Sequence, residues 1–378
     1  ALDSHSPFFR RQLMARWQKS VDEAESMITE LATGKAASRL AHFILKYFSD
    51  GLAEVWNSPA RHDIAQTLGI TTETASRLIK AVDGVSLTVG EGETFGVVGE
   101  SGSGKSVTIK SVMGLIHPPG KIVSGSIQFK GKELTKFNNR EYQEIRGDEI
   151  AMIMQDPMTA LNPVLKIKDQ IKETLEEDGK LPDKEIVERA VQLMKLVGIP
   201  APERRLNEYP HQFSGGMRQR VMIAIALSRN PKLLLADEPT TAVDVTIQDQ
   251  ILKLLVSLQK ELGMGLVLVT HDLGIIAQTT DRVAVMYAGR IMEMTDTVTL
   301  FKRPHHPYTM GLMNSIPSKK LSGEQLDPIP GLPPNMGNLP PGCRFSPRCV
   351  YATDECRTGE IGLREIGPGH VSACIKDV

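Results

Sequence analysis

Residues 99–106, Gly99-Glu100-Ser101-Gly102-Ser103-Gly104-Lys105-Ser106, have the types and spacing to hold a phosphate chain. Their glycines let backbone N–H groups turn inward at the start of a helix, where the helix dipole favours an anion. In this G-x-x-x-x-G-K-S pattern Lys105 reaches the β- and γ-phosphates and the Ser106 hydroxyl holds Mg²⁺. An acidic pair follows at Asp237-Glu238-Pro239, directly after the apolar run Lys232-Leu-Leu-Leu-Ala236. A carboxylate at the carboxyl end of a strand beside a phosphate loop can hold the metal's water shell, and its neighbour can polarise an attacking water. Upstream of that pair, Ser214-Gly215-Gly216 opens a helix expected to end near Ser228, again offering a hydroxyl and bare N–H groups to a phosphate. One nucleotide hardly needs two such cradles from one chain. The economical arrangement puts residues 214–216 over a γ-phosphate held by a second subunit.

The elements that must position these groups are legible around them. Thr94–Val98 reads as a short buried strand running into the glycine loop, and 107–115 as the helix after it. Residues 81–90 alternate apolar and polar like a further strand. Before residue 80 the usage changes: 3 of the 32 glycines and 2 of the 23 prolines lie there, with both tryptophans. A segment poor in glycine and proline suits helices, and a glycine-rich remainder suits tight turns. Apolar residues Phe9, Leu13, Trp17, Val21, Ala24, Ile28 and Leu31 recur at steps of three and four, the pattern of one long amphipathic helix. At about 150 residues per domain, 378 residues imply two to three domains.

Composition excludes some classes. Lys+Arg number 44 against 45 Asp+Glu, a balance that argues against one large basic nucleic-acid surface. No apolar run approaches the roughly 18–20 residues of a membrane helix, and the amino end has no basic cluster leading into an apolar stretch. A soluble chain is expected, reaching any membrane through a partner.

The strings Ser214-Gly-Gly-Met-Arg-Gln-Arg220 and Asp237-Glu-Pro-Thr-Thr-Ala-Val-Asp-Val245 resemble those of ATP-binding cassette (ABC) ATPases. That resemblance implies an α/β fold: a P-loop NTPase cassette with a RecA-like core, an antiparallel β subdomain and a helical subdomain. It makes Gln155, in Met154-Gln-Asp-Pro-Met-Thr-Ala-Leu-Asn-Pro163, a residue linking Mg²⁺ to the transporter. Asp237 becomes the metal-site aspartate, Glu238 the catalytic glutamate, and Asp244 a residue reaching across a dimer. His271, in Val269-Thr-His-Asp272, becomes the γ-phosphate histidine. The phosphate-site motifs occur once each, and no long heptad segment divides the cassette. A transporter cassette is therefore expected over residues 81–317, with its helical subdomain at about 156–212.

The tail narrows the resemblance. Phe301-Lys-Arg-Pro-His-His-Pro-Tyr-Thr309, Pro328-Ile-Pro-Gly-Leu-Pro-Pro334 and Gly342-Cys-Arg-Phe-Ser-Pro-Arg-Cys349 are similar to the carboxyl extension of oligopeptide/dipeptide importer ATPases. It implies ATP and Mg²⁺ as cofactors and a second ABC ATPase subunit, identical or different, as partner. Two membrane permeases, an extracytoplasmic peptide-binding protein acting indirectly, and a place on the cytoplasmic side of the membrane are implied as well. Residues 318–378 then form a Pro-rich linker and extension. All four cysteines lie there, Cys343, Cys349, Cys356 and Cys374. Zinc normally shows a C-x₂₋₄-C pair, absent here, while four thiolates can hold a [4Fe–4S] cluster, which the resemblance implies for some family members. Cluster, zinc and free or paired thiols all stay open.

Residues 61–79 form two short helical patterns around a turn at Gly69, and 8–79 resemble the DNA-binding end of cyclic-AMP-receptor/FNR-type regulators. Glu73, Ser76 and Arg77 match that family's Glu-x-x-Ser-Arg base-reading pattern, which implies DNA as a partner. Cassette ATPases begin with a strand whose aromatic residue stacks on adenine. Here the helical segment, residues 1–80, runs straight into Ala81-Val-Asp-Gly84, with only Tyr47 or Phe48 to serve, so the β subdomain is expected to lack a strand. Three readings follow: an importer ATPase, a DNA-binding regulator with an ATP-dependent cassette switch, or a chimera active in neither role.

Overall fold

The computed structural model describes residues 81–118, 120–176, 182–241, 243–315 and 329–377. The helix-turn-helix expectation, with Glu73, Ser76 and Arg77, and the aromatic pair Tyr47 and Phe48 lie outside these residues. The fold below is that of one compact unit, running from Ala81 to Ile116, from Ile122 to Pro334 and from Pro340 onward.

Strand β1 (Thr94–Val98) is buried at all five positions and feeds the glycine turn that opens α1 (Lys105–Val112). That helix is shorter than the sequence pattern suggests. Gly114, at φ 62°, takes the left-handed turn after it, and Arg146 caps the freed carbonyls of Met113 and Gly114. A hairpin follows, β2 (Gln128–Phe129) with β3 (Lys132–Glu133), turning on Lys130 and Gly131, both at positive φ as such a two-residue loop requires. Helix α2 (Asn139–Ile145) starts on a reciprocal cap between Asn138 and Glu141 and leads into β4 (Ile150–Ile153).

Four helices come next: α3 (Pro157–Ala160), α4 (Ile167–Leu175), α5 (Asp183–Leu196) and α6 (Pro202–Arg205). In α5 the buried Ile186, Ala190, Leu193 and Met194 recur at helical spacing, and the last three join the core shared with α7 (Gly215–Ala226). The chain then alternates strand and helix: β5 (Leu233–Asp237), α8 (Val245–Leu262), β6 (Gly265–Thr270), α9 (Leu273–Thr279) and β7 (Arg282–Tyr287). It continues through β8 (Arg290–Asp296), α10 (Thr297–Lys302), α11 (Pro307–Asn314), α12 (Asp354–Thr358), β9 (Arg364–Gly367) and β10 (His370–Ser372).

The main sheet has the order β4-β5-β6-β1-β7-β8-β10-β9. From β4 to β7 every pairing is parallel, and β8, β10 and β9 continue it antiparallel. In such a sheet the ligand crevice lies beyond the carboxyl ends of the parallel strands. The tail is thus built into the cassette's sheet, where the sequence suggested only a linker and a cysteine cluster.

One expected strand does not form. Burial alternates along 84–90, and Val85, Leu87 and Val89 pack on the core around Phe95, Val97 and Val269, yet no ladder is made there. A strand needs a neighbour to satisfy its N–H and C=O groups. Among the described residues the separate antiparallel layer is the β2–β3 hairpin alone. No described helix is long and apolar enough to cross a membrane.

Candidate functional site

Two glycines of the phosphate loop, Gly99 and Gly104, are fixed by close approach. A Cβ on Gly99 would stand 2.1 Å from the Met286 carbonyl oxygen, and one on Gly104, at φ 99°, 2.7 Å from that of Ala81. Ser101 and Gly102 form the exposed tip, and Ser103 is buried. Lys105 is only 4% exposed. Its ammonium donates to the carbonyls of Gly99 at 2.7 Å and Glu100 at 3.0 Å, with Ser103 Oγ at 3.4 Å. Burial lowers its pKa, opposed by the carboxylates of Glu238, Asp237 and Glu100. An amine so desolvated interacts strongly with any anion brought to it.

Ser106 Oγ donates to Asp237 Oδ1 at 2.8 Å, joining the start of α1 to the end of β5. Burial pushes the Asp237 carboxyl up, against the Ser106 hydrogen bond and the charges of Lys110 and Lys105. A hydroxyl and a buried carboxylate side by side are the hard oxygen donors that suit Mg²⁺.

Register brings the remaining groups together. Strands β4, β5 and β6 lie side by side with Ile153 opposite Ala236 and Asp237 opposite Val269. Gln155, Glu238 and His271 each follow one of these strand ends by one or two residues, so three distant positions converge. Glu238 Oε2 accepts from Gln155 Nε2 at 3.2 Å and lies 3.2 Å from His271 Nδ1. It also accepts from Thr241 Oγ1 at 2.9 Å, a contact the sequence did not single out. The Glu238 backbone sits at φ 45°, uncommon for a residue with a side chain, and its N–H is tied to Val269 O at 3.0 Å. Such strain is held where the surroundings over-determine it.

Ser214 and Asp244 both act as caps. Ser214 accepts from Met217 N at 3.3 Å at the head of α7, and Asp244 from Ile247 N at 3.0 Å at the head of α8. A Cβ on Gly216 would come within 2.5 Å of Ile247 Cγ2, so the two helix heads are packed on each other. Among the described residues no hydrogen bond links residues 214–216 to the phosphate loop of the same chain.

Known proteins resemble this chain in sequence and in fold. A family described as ABC transporter matches residues 82–241, and one described as Oligopeptide/dipeptide transporter, C-terminal region, matches 292–356. The oligopeptide transport ATP-binding protein AppD of Bacillus subtilis (strain 168) is 51% identical over 297 residues, 78% of this chain and 90% of that protein. The chain belongs to the ABC ATPases of the oligopeptide/dipeptide transporter family. OppD of the same organism, another oligopeptide transport ATP-binding protein, is 52% identical over 287 residues, 75% of this ABC ATPase and 80% of its own length. Among solved structures, the ATP-binding cassette MJ0796, dimeric in a post-hydrolysis state bound to ADP and Pi, matches with TM-score 0.52 and 30% identity. That match covers 57% of this chain and 90% of MJ0796.

The carboxyl region of this ABC ATPase gathers its cysteines. Cys343, Cys349, Cys356 and Cys374 line one cavity, all as free thiols. They do not form the ligand shell the sequence suggested: no group of three or more described His, Cys, Asp or Glu residues is disposed to hold a metal ion. Their surroundings also favour the neutral thiol at three of the four positions. Burial pushes the Cys343 thiol up to about 11 and raises those of Cys349 and Cys374. Cys374 Sγ instead accepts from Lys376 N at 3.4 Å, and Cys356 Sγ lies 3.5 Å from Thr353 Oγ1.

Proposed function

We propose that this ABC ATPase hydrolyses ATP to power import of oligopeptides or dipeptides. The observation that carries the proposal is the meeting of Gln155, Thr241 and His271 on one carboxylate oxygen of Glu238, beside the Ser106–Asp237 pair. Lys105 and the N–H groups of residues 99–106 grip the β- and γ-phosphates. Ser106, Asp237 and Gln155 would hold Mg²⁺, whose positive charge would offset the negative charge of the phosphates. Glu238 orients the attacking water and takes its proton, while His271 steadies charge on the γ-phosphate.

Ser214, Gly215, Gly216 and Asp244 serve the nucleotide of a second ATPase subunit, identical or different, so two ATP molecules are clamped between two cassettes. The packing of Gly216 on Ile247 supports this, because it makes the two caps move as one piece. The cassette pair works on the cytoplasmic face of the membrane, driving two permeases fed by an extracytoplasmic peptide-binding protein. Gln155, exposed after β4, passes the state of the nucleotide to the permeases. In a Glu238→Gln background carrying Ser101→Cys and Gly215→Cys, MgATP is expected to produce an inter-chain crosslink that variants with only one of the two added cysteines do not give. No crosslink under saturating MgATP defeats the clamp between two copies of this chain.

A [4Fe–4S] cluster, which family likeness implies for some members, would take Cys343, Cys349, Cys356 and Cys374 as its ligands, although the four free thiols as they stand form no ligand shell. Convergence of all four on one cavity supports it. Protein purified without oxygen is expected to show a broad visible absorbance shoulder lost in Cys349→Ser. A colourless protein with stoichiometric zinc eliminates the cluster.

A further inference from the structure

The phosphate loop is braced from the far end of the chain. Glu100, its second residue, turns its carboxylate to Arg348: Nη1 to Oε2 is 2.7 Å and Nη2 to Oε1 is 3.0 Å, a two-pronged ion pair. The same guanidinium donates through Nε to Pro330 O at 2.9 Å and through Nη1 to Tyr287 Oη at 3.2 Å. It lies against the rings of Tyr287 and Phe345, at 5.7 and 5.9 Å from their centroids. The Glu100 backbone N–H is also engaged, donating to Tyr308 Oη at 2.9 Å. Tyr308 is fully buried, its ring packed on those of Tyr287 and Phe345.

A carboxylate one residue beyond Gly99 is adverse in a loop built for anions, since it repels a triphosphate across a short distance. An exposed partner would do little about that. Here the Arg348 side chain is only 5% exposed, so its fork is held in place and removing it strands Glu100 beside the phosphates.

We infer that Arg348 is a positioning residue of the phosphate loop: by neutralising and anchoring Glu100, the carboxyl region of this ATPase sets the loop's affinity for nucleotide phosphates. This rests on the reading of residues 99–106 as the phosphate loop. In Arg348→Met, which keeps a buried apolar stem, the Kd for MgATP is expected to rise about tenfold, the effect of an unneutralised charge at partly screened range. Adding Glu100→Gln should recover most of that loss, and raising the salt concentration should narrow the gap.

Loss of packing alone gives neither recovery nor salt dependence. Arg348→Lys, which keeps the charge, should bind MgATP more tightly than Arg348→Met, and it carries the test if the methionine variant does not fold: its smaller deficit should also vanish with Glu100→Gln. Unchanged affinity in the Arg348 variants, or a double variant as weak as the single one, overturns the inference. Neither result touches the phosphate loop itself, whose own test is Lys105→Ala; normal MgATP binding by that variant removes the parent reading.

Discussion

Glu238→Gln is expected to lower kcat for ATP hydrolysis about a hundred- to a thousandfold, the range a positioned general base supplies. Its affinity for MgATP is expected to stay within about threefold of the unaltered protein, because phosphate binding rests on other groups. The geometry argues for so selective an effect. Glutamine is close to isosteric, so Thr241, Gln155 and the Val269 carbonyl still meet a side chain and backbone of the same shape. What the amide cannot do is accept a proton from water. Glu238 also stands apart from Asp237: the first faces Gln155 and His271, the second faces Ser106, so the two carboxylates have different neighbours. Phosphate release in steady state, measured with equilibrium binding of MgATP, separates the two quantities. Unimpaired turnover removes Glu238 from the chemistry; lost binding moves it to the metal site.

The candidate site was legible in the sequence to the extent that its parts are contiguous or sit at strand ends. Residues 99–106 and 214–216 carry their chemistry in single runs, and both appear at the heads of helices, Ser214 as a cap and Gly104 as the left-handed residue before α1. Glu238 could be named because an apolar run leads into it, and Gln155 and His271 through the resemblance to ABC ATPases, though only the parallel register of β4, β5 and β6 makes them meet. Thr241 escaped notice because a threonine in a turn carries no signal until the carboxylate it faces is known. The alternation of 84–90 was a true sign of one buried face and a false sign of a ladder, since pairing depends on a neighbour elsewhere in the chain. Least legible was the tail. Arg348 and Glu100 are 248 positions apart, and nothing in local pattern reports so distant a contact. The same holds for β10, which pairs with β8 and carries the sheet into the carboxyl region.

Those long-range contacts change how the cassette is understood. Arg344 bonds the carbonyl of Ala288 and the carboxylate of Asp83, while Arg348 holds Glu100, and each arginine is next to a cysteine of the thiol cavity. The aromatic set Tyr287, Tyr308 and Phe345 fills the space behind them. The carboxyl region is therefore packed against the glycine loop of residues 99–106 and is no mere appendage to the sheet.

Lys105→Ala is expected to weaken MgATP binding about a hundredfold, the loss of charge-assisted hydrogen bonds to phosphate at a buried site. Two causes could produce that loss, and they separate. The lysine stem is buried, so alanine leaves space beneath the loop and strips a donor from the carbonyls of Gly99 and Glu100. Methionine fills most of that space and restores no charge. If the ammonium is what grips phosphate, Lys105→Met falls as far as Lys105→Ala; if packing of the loop matters more, Met recovers most of the affinity. The electrostatics favour the first outcome. Burial depresses the Lys105 pKa, the carboxylates of Glu238, Asp237 and Glu100 oppose that depression, and the negative charge of a bound phosphate would oppose it further. Melting curves decide between them without any turnover: MgATP should raise the melting temperature of the unaltered protein and leave that of both variants unmoved. Lys105→Ala stabilised by MgATP as fully as the unaltered protein removes the phosphate-loop reading, and Lys105→Met alone so stabilised assigns the loss to packing.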